Sequence, residues 1–493
     1  MSISLALGSP CLAGYSLTLT VLNIKWVVRR FRNVNYPNSS WATLVLSKLQ
    51  QMPLKSWRTV STDAGDYPLL ASLIVLPEND RWWEKLEKDL NYADPHSWSI
   101  ASVTSISWVI VAYALTVVDA FTTISSDPNR NGGGLSGVGS IWLWMIPITI
   151  GYLQLSPRCD LNRGEDVLND ANQLCVVAGP NGVVNASAVL GESALTIQNY
   201  AQHRELHADQ LATAPIYNYA RLFSFVNVVE EIACVFDAAK EKAHNRETVS
   251  GADWQPSDGK TVHEANRRGT SEQIVQYCSP LPSVSRSHWG SGSGLSSRFL
   301  IAAVAGLTLQ WSTIGGSIII VYYSPTVGFG CRSTAYLLYA AVATVVWVLL
   351  VASAFLAHYA ISPRAGPRHS TYHKAAEHIS IYCRRAAKLL ATLNSVWIVV
   401  MLLLQFSGFL DRCYCNSDVI GLGRRAYDVM VLLPSDIPNM KAAWVSGILL
   451  AVVCTIVWLL FLNLMVDPLP RPHTRLSPSG RGVKRRDRIT TAW

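Results

Sequence analysis

The stretch AAWVSGILLAVVCTIVWLLFLNLMV, residues 442–466, decides the class of fold. It contains no Asp, Glu, Lys or Arg, and most of its residues are aliphatic or tryptophan. The hydrocarbon core of a bilayer is about 30 Å thick, and a helix of about 20 apolar residues crosses it. This stretch therefore predicts a transmembrane helix.

Six further runs without an acidic or basic residue precede it. The seven runs are Met1–Ile24, Ser97–Val118, Val138–Leu155, Phe299–Tyr323, Thr334–Ala357, Leu389–Leu410 and Ala442–Val466. Gly8, Pro10, Gly14 and Asn23 interrupt the first run, and Pro147 lies within the third. The pattern predicts an all-α membrane protein, a polytopic bundle of about seven transmembrane helices.

The composition of the whole chain agrees with this class. Of its 493 residues, 50% are hydrophobic and 15% are charged, whereas soluble domains carry about 25% charged residues. The mixture excludes disordered, collagen-like and disulfide-rich chains.

Basic residues predict the orientation, because Lys and Arg collect on the cytosolic side of a bilayer. Of the 41 Lys and Arg residues, 34 fall in 27–96, 156–298, 358–388 and 467–493. We therefore expect a cytosolic C-terminus. With seven spans the N-terminus lies outside; if the first run does not cross, six spans keep the same orientation. The net charge of +8 then reflects sidedness, and we expect no nucleic-acid partner.

These boundaries divide the chain into membrane and cytosolic parts. The predicted parts are a first transmembrane segment (1–30), a cytosolic segment (31–96), transmembrane helices 2–3 (97–155), a mixed, mainly helical cytosolic insertion (156–298), transmembrane helices 4–5 (299–357), a basic cytosolic loop (358–388), transmembrane helices 6–7 (389–466) and a basic cytosolic tail (467–493). The apolar run Leu69–Leu76 is too short to span and is predicted to be interfacial or buried.

Three elements are predicted in the insertion. A β-hairpin runs from Leu174 to Val189 around the turn Gly179–Gly182, and a helical stretch covers about Ser193 to Gln210. An amphipathic helix covers about 216–244, because apolar residues recur there every three or four positions. Its apolar face either packs within its own domain, docks a protein partner or lies on the membrane.

Several blocks of the chain resemble a family of uncharacterised multi-pass membrane proteins of filamentous fungi. The blocks are Gln154–Asp160, Pro215–Arg221 with Glu230-Glu231, Leu309-Gln310-Trp311 and Gly328–Ser333, and the resemblance runs from Leu17–Asn23 to the seventh span. It implies a multi-pass fold and a fungal source. It carries no activity and no catalytic residues.

For function, we favour a membrane scaffold or sensor that acts through the cytosolic insertion, since most residues outside the spans lie there. The first alternative is a transporter or channel, because ionisable and polar groups at membrane depth are costly. Its candidate residues are Asp119, Gln310, Asn394 and Gln405. Hydrogen bonding between helices is the competing explanation for the amides.

The second alternative is a membrane metalloenzyme. His203 with His207, and His369 with His373, are each spaced so that one helical turn brings both imidazoles to one face, as metal ligation requires. Solvated histidines in basic loops are the competing interpretation. The sequence identifies no catalytic residue and no cofactor, and it favours a non-enzyme.

Remaining features concern the two sides of the membrane. Cys331, Cys413 and Cys415 fall on the predicted outer side, where a disulfide between loops can form. The sequons at Asn38 and Asn185 fall on the predicted cytosolic side and should be unused. The expected partners are the bilayer, a protein at the 216–244 helix and anionic lipid at the basic tail.

Overall fold

A computed structural model of the chain describes residues 1–62, 65–91, 98–123, 139–180, 182–187, 191–198, 204–256, 262–279, 294–324, 327–361, 367–406 and 435–466. Its helices form a bundle and a globular domain. The bundle helices are α1 (Ser2–Gly8), α2 (Pro10–Phe31), α6 (Ile100–Thr123), α7 (Met145–Leu155), α11 (Leu295–Tyr322), α12 (Cys331–Ala360), α13 (Pro367–Phe406) and α14 (Asp436–Met465). The domain helices are α3 (Ser39–Leu49), α4 (Leu69–Val75), α5 (Asp80–Leu90), α8 (Leu161–Asn172), α9 (Asn218–His244) and α10 (Ser271–Tyr277).

Six helices of the bundle are long and apolar enough to cross a membrane: α2, α6, α11, α12, α13 and α14. Large apolar side chains are exposed on five of them, all except the largely buried α2. Trp108 on α6 is 72% exposed, Leu300 on α11 is 62% exposed and Leu464 on α14 is 75% exposed. Exposed apolar surface of this extent is unfavourable in water and favourable in lipid, so these helices indicate a membrane-embedded protein.

The first apolar run forms two helices with a sharp break between them. α1 ends at Gly8, Ser9 has φ −150° and ψ 83°, and α2 begins at Pro10. Proline suits this first helical position, because an N–H group there would have no acceptor within the helix and its absence costs no hydrogen bond. α1 lies along α13, whereas α2 lies along α11, so Ser9 joins two helices with different neighbours.

Two other bundle helices differ from their predicted extents. Pro147 does not kink a span, because α7 begins at Met145 and Pro147 lies in its first turn, where amide groups have no helical acceptor. Helix α13 begins at Pro367 and continues to Phe406, so most of the predicted loop 358–388 is helical. Gly366 precedes this helix, Pro367 is its first residue, and no further Gly or Pro follows up to Phe406.

The globular domain is built from two separate parts of the chain, residues 31–91 and 156–279. Its core contains Leu69–Leu76, the run that is too short to span, together with Trp82, Trp83 and the apolar face of α9. The run Leu69–Leu76 is predicted to be interfacial or buried, and the structure confirms that it is buried. The two segments that are predicted to be cytosolic, and that the sequence separates, thus share one core.

Short strands and side chains join these two parts. The strands are β1 (Leu54–Ser56), β2 (Val60–Thr62), β3 (Gly65–Tyr67), β4 (Val176–Gly179), β5 (Gly182–Asn185) and β6 (Leu195–Ile197). β1 pairs with β6, β2 with β3 and β4 with β5, all antiparallel. Asn79 acts as a further partner of β4: its Nδ2 donates to the Val176 carbonyl and its Oδ1 accepts from the Val176 amide, both at 2.9 Å.

Of the three elements predicted in the 156–298 insertion, two are confirmed and one is wrong. The β-hairpin is confirmed as β4 and β5, and the amphipathic helix is confirmed as α9, preceded by a 3₁₀ turn at Pro215–Tyr217. The helix predicted from Ser193 is wrong at its start, where β6 lies, and 204–210 form turns. Pairing of β6 with the distant β1 overrides the local helical pattern.

Candidate functional site at the junction of domain and bundle

Helix α9 has two faces in two different environments. One face lies in the domain core and carries the predicted apolar stripe, which includes Phe225, Val229, Ile232 and Phe236. The other face lines a cavity of about 240 Å³ where the domain meets the bundle. Its residues recur every three or four positions and are half-buried: Ala220, Ser224, Asn227 and Glu231.

The cavity has walls from both parts of the molecule. β1 and the residue after β6 form one side, the 204–210 segment forms another, and the last turns of α12 close it toward the bundle. The polar and ionisable side chains that line it are Lys55, Ser56, Gln198, His207, Gln210, Ser224, Asn227, Glu231 and His358. Domain and bundle therefore both contribute to one polar cavity.

Glu231 is the acidic residue among those that line this cavity, and the domain already neutralises it. Ser56 Oγ donates a hydrogen bond to Glu231 Oε2, and Arg58 Nε lies 3.4 Å from Oε1. Lys55, by contrast, has its ammonium 3.3 Å from the centroid of the Trp57 ring, and it forms no ion pair within the described residues. The cavity therefore has a surplus of positive charge.

Aromatic stacking fixes α12 against the domain at this cavity. The His358 ring stacks on Phe223 with centroids 4.3 Å apart and planes at 11°. Phe223 also meets Phe355 edge to face at 4.9 Å. Because Phe223 belongs to α9, the end of α12 is held directly on the helix that lines the cavity.

Basic residues of α13 hold the 204–210 segment. Arg384 Nη1 donates to the Leu206 carbonyl at 2.7 Å, and its Nη2 donates to the Glu205 carbonyl. Lys388 forms an ion pair with the buried carboxylate of Asp209, which also accepts a hydrogen bond from the Tyr219 hydroxyl. The basic residues that mark sidedness in the sequence thus bind the globular domain as well.

A second polar junction joins α2 to the domain. Thr20 Oγ1 accepts hydrogen bonds from Asn218 at 2.8 Å and from Gln51 at 3.1 Å. Gln51 Oε1 in turn accepts from the buried guanidinium of Arg221 at 3.0 Å. Burial lowers the pKa of Arg221 to about 10, because desolvation disfavours its charged form. The domain is therefore attached to α2 through a buried hydrogen-bond network.

Two of the predicted transport residues lie at the break between α1 and α2. Gln310 Oε1 accepts from the Cys11 amide at 3.0 Å, while its Nε2 donates to the Ala340 carbonyl at 3.0 Å and to Thr344 Oγ1 at 2.9 Å. Asn394 Nδ2 donates to the carbonyls of Gly8 at 2.9 Å and Tyr339 at 3.1 Å. Both amides thus satisfy backbone groups that the break exposes.

The other transport residues are placed differently. Asp119 is half-buried on α6, one residue before Ala120, which packs against Ile320 and Trp444. The side chain of Gln405 lies outside the described residues. The structure therefore brings Gln310 and Asn394 together at the helix break but leaves Asp119 on another helix.

Of the predicted metal ligands, the side chains of His207 and His373 are described. His207 is buried at the junction cavity, whereas His373 Nδ1 lies 3.0 Å from the Ala360 carbonyl and its ring lies 5.0 Å from that of Tyr359. Among the described residues, no group of three or more His, Cys, Asp or Glu is placed to hold a metal ion. His203 and the side chain of His369 lie outside that set, as do Cys413 and Cys415, so the metal and disulfide predictions stay predictions.

Sequence analysis missed most of the junction. Asn227 and Glu231 belong to a second stripe on α9 whose spacing is visible in the sequence between the apolar positions. Lys55 and Gln198 carry no such signal, because each depends on the pairing of β1 with β6.

Comparison with known proteins adds no family. No family model, no curated protein and no solved structure matches the chain. The resemblance to the fungal membrane family consequently stays a prediction.

Proposed function

We propose that the protein is a multi-pass membrane sensor whose globular domain faces the cytosol and passes occupancy of the junction cavity to α12 and α13. One observation carries the proposal: the residues that line the cavity are also those that hold these helices. His358 of α12 lines the cavity directly. The 204–210 segment lines the cavity through His207, and Arg384 of α13 is hydrogen-bonded to that segment.

The contacts explain how a change at the cavity would reach the membrane. A ligand that moves α9 or His207 has to disturb either the stacking of Phe223 on His358 or the bonds from Arg384 to 205–206. Coupling of this kind needs a physical element that two sites share. The 204–210 segment and α9 supply two such elements.

The polar groups within the spans favour the sensor over a transporter. Gln310 and Asn394 are buried and hydrogen-bonded to backbone groups at the helix break. Their hydrogen-bonding capacity is therefore used for structure. The junction cavity, by contrast, is lined by polar side chains that are only half-buried, such as Lys55 and Asn227.

The proposal is tested without a ligand by filling the cavity. Asn227→Trp places a large side chain in it, and Lys240→Trp places the same side chain on α9 outside it. We expect Asn227→Trp, and not Lys240→Trp, to change hydrogen–deuterium exchange at 354–361 and 380–388 in the purified full-length protein. Changes confined to α9 and β1 would overturn the sensor.

A further inference from the structure

The donors of the junction cavity point to a class of ligand. Three of the side chains that line it can donate hydrogen bonds to a ligand: the Lys55 ammonium and the amides of Gln198 and Asn227. Within the described part of the chain, none of the three makes a side-chain hydrogen bond. These half-buried donors line one cavity and are therefore available to an acceptor from outside the chain.

The acidic group of the cavity does not supply that acceptor. The Glu231 carboxylate is bound by Ser56 and Arg58. With Glu231 neutralised by Arg58, Lys55 keeps a positive charge that no acidic side chain of the described residues pairs with. A ligand rich in acceptors and negatively charged matches both properties.

The size of the cavity and its position beside α12 further restrict the class of ligand that fits it. At about 240 Å³ the cavity lies below the roughly 300–1,000 Å³ of sites for drug-sized molecules. One wall is the end of α12, a helix long enough to cross the membrane. The wall includes Ile361, which is 47% exposed, so an apolar surface adjoins the polar donors.

We propose that the junction cavity binds a phosphate group, with Lys55 as its charged contact and Asn227 and Gln198 as neutral donors. Phosphate oxygens are strong acceptors, and lysine is a common phosphate ligand. The group can belong to a lipid headgroup, which lies at the depth where spanning helices end, or to a soluble phosphate ester. This rests on the proposed function, because it names the ligand whose binding the sensor would report.

The test uses the full-length protein purified in a maltoside detergent, which contains no phosphate. Thermal unfolding is followed with inorganic phosphate, with glycerol 3-phosphate, and with micelles that contain phosphatidic acid or, as the uncharged control, diacylglycerol. Stabilisation by phosphatidic acid alone identifies a lipid headgroup. Stabilisation by the soluble phosphates identifies a soluble ligand.

Two variants identify the site. Lys55→Gln removes the charge, and Lys240→Gln removes a lysine from α9 outside the cavity. A lost hydrogen bond to a charged group weakens binding by about tenfold or more, so we expect that loss in Lys55→Gln and unchanged affinity in Lys240→Gln. Unfolding of each variant without ligand shows that it folds.

The phosphate proposal is overturned if no phosphate source stabilises the protein, or if Lys55→Gln binds as well as the wild type. The Asn227→Trp exchange experiment contains no ligand. A failure to bind phosphate therefore leaves the sensor itself standing, and a failure of the exchange experiment removes the sensor whatever the cavity binds.

Discussion

Asn394 Nδ2 donates a hydrogen bond to the carbonyl of Gly8 at 2.9 Å, across 386 residues of sequence. The Tyr339 hydroxyl donates to the neighbouring Leu7 carbonyl at 2.6 Å. On the other side of the break, Gln310 accepts from the Cys11 amide. Three side chains from α11, α12 and α13 thus complete the backbone hydrogen bonds of one interrupted helix.

Asn394→Leu should destabilise the protein, because it leaves the Gly8 and Tyr339 carbonyls without this donor. Unsatisfied buried groups cost about 1–3 kcal/mol, and hydrogen bonds between spanning helices average about 0.6 kcal/mol. Asn463→Leu is the matched control, since Asn463 is exposed on α14, where it donates to Leu459 of its own helix and accepts an exposed bond from Gln154 at 3.2 Å. Thermal unfolding in detergent that ranks the two variants equally would contradict the role of Asn394.

Gly306→Ala should destabilise the contact between α2 and α11. A Cβ at Gly306 would lie 2.6 Å from the Cys11 carbonyl oxygen and 2.9 Å from the Tyr15 amide nitrogen, and overpacking of this kind costs about 1–3 kcal/mol. Gly315→Ala on the same helix meets only Leu450, at 3.6 Å. It should be neutral or stabilising, because alanine favours helix by about 1 kcal/mol. Equal melting temperatures for the two variants would refute the close approach.

Arg267→Met should destabilise the globular domain strongly. Its fully buried guanidinium donates to both oxygens of Asp80, at 3.0 and 2.7 Å, and to the Val75 carbonyl at 2.8 Å. Although burial alone would lower the pKa of Arg267, the hydrogen bonds and charge of Asp80 raise it.

Removal of one partner of such a pair costs about 3–5 kcal/mol. The adjacent Arg268 pairs with Glu78 at 3.0 Å but has a side chain that is 60% exposed, so Arg268→Met should cost about 1 kcal/mol at most. Chemical denaturation of both variants measures the difference.

Two thiols of the domain should react slowly. Burial raises the pKa of Cys175 and of Cys278 to about 12. Because the thiolate is the reactive form, alkylation at pH 8 should be about a thousandfold slower than for an unperturbed cysteine. The rate should rise as pH approaches 12 or as the domain unfolds. Mass spectrometry of iodoacetamide adducts provides the measurement, and rapid labelling of Cys278 at pH 8 in folded protein would contradict the packing.

Glycosylation tests the proposed sidedness. Asn185 on β5 and Asn38 are both half-buried, and both sequons belong to the domain that we place in the cytosol. We expect neither to carry sugar in cells that glycosylate secreted proteins. Gly133→Ser creates a sequon at Asn131, in the predicted outer loop and outside the described residues. Sugar on Asn185 would show that the orientation is opposite to the proposed one. Sugar on Asn38, together with none on the engineered sequon at Asn131, would show the same.

Six of the seven apolar runs predicted helices that are long and apolar enough to span, because a span needs about 20 apolar residues. The third run, Val138–Leu155, contains only the short helix α7. Gly8 and Pro10 also marked where the first run breaks. The partners of the break were not predictable, since Asn394 and Gln310 become neighbours of Gly8 and Cys11 only when four helices pack together.

The domain was predicted less well for a related reason. Its two parts meet through strands of three residues, β1 and β6, and such strands carry little periodicity. Arg267 looked like one more basic residue of a polar segment, although it is fully buried against Asp80. Sequence patterns report which face of an element is apolar; they do not report which distant residue supplies a buried charge with its partner.

The pairing of β1 with β6 also has a consequence for biosynthesis. The ribosome delivers Leu54 long before its strand partner Ile197, and α6 and α7 are synthesised between them. Trp82, Trp83 and Leu69–Leu76 lack the surface of α9 that covers them until that later helix has also been synthesised. Chains with unpaired strands and uncovered apolar surface are prone to aggregate. The first part of the domain can therefore complete its core only after α6, α7 and α9 have all been synthesised.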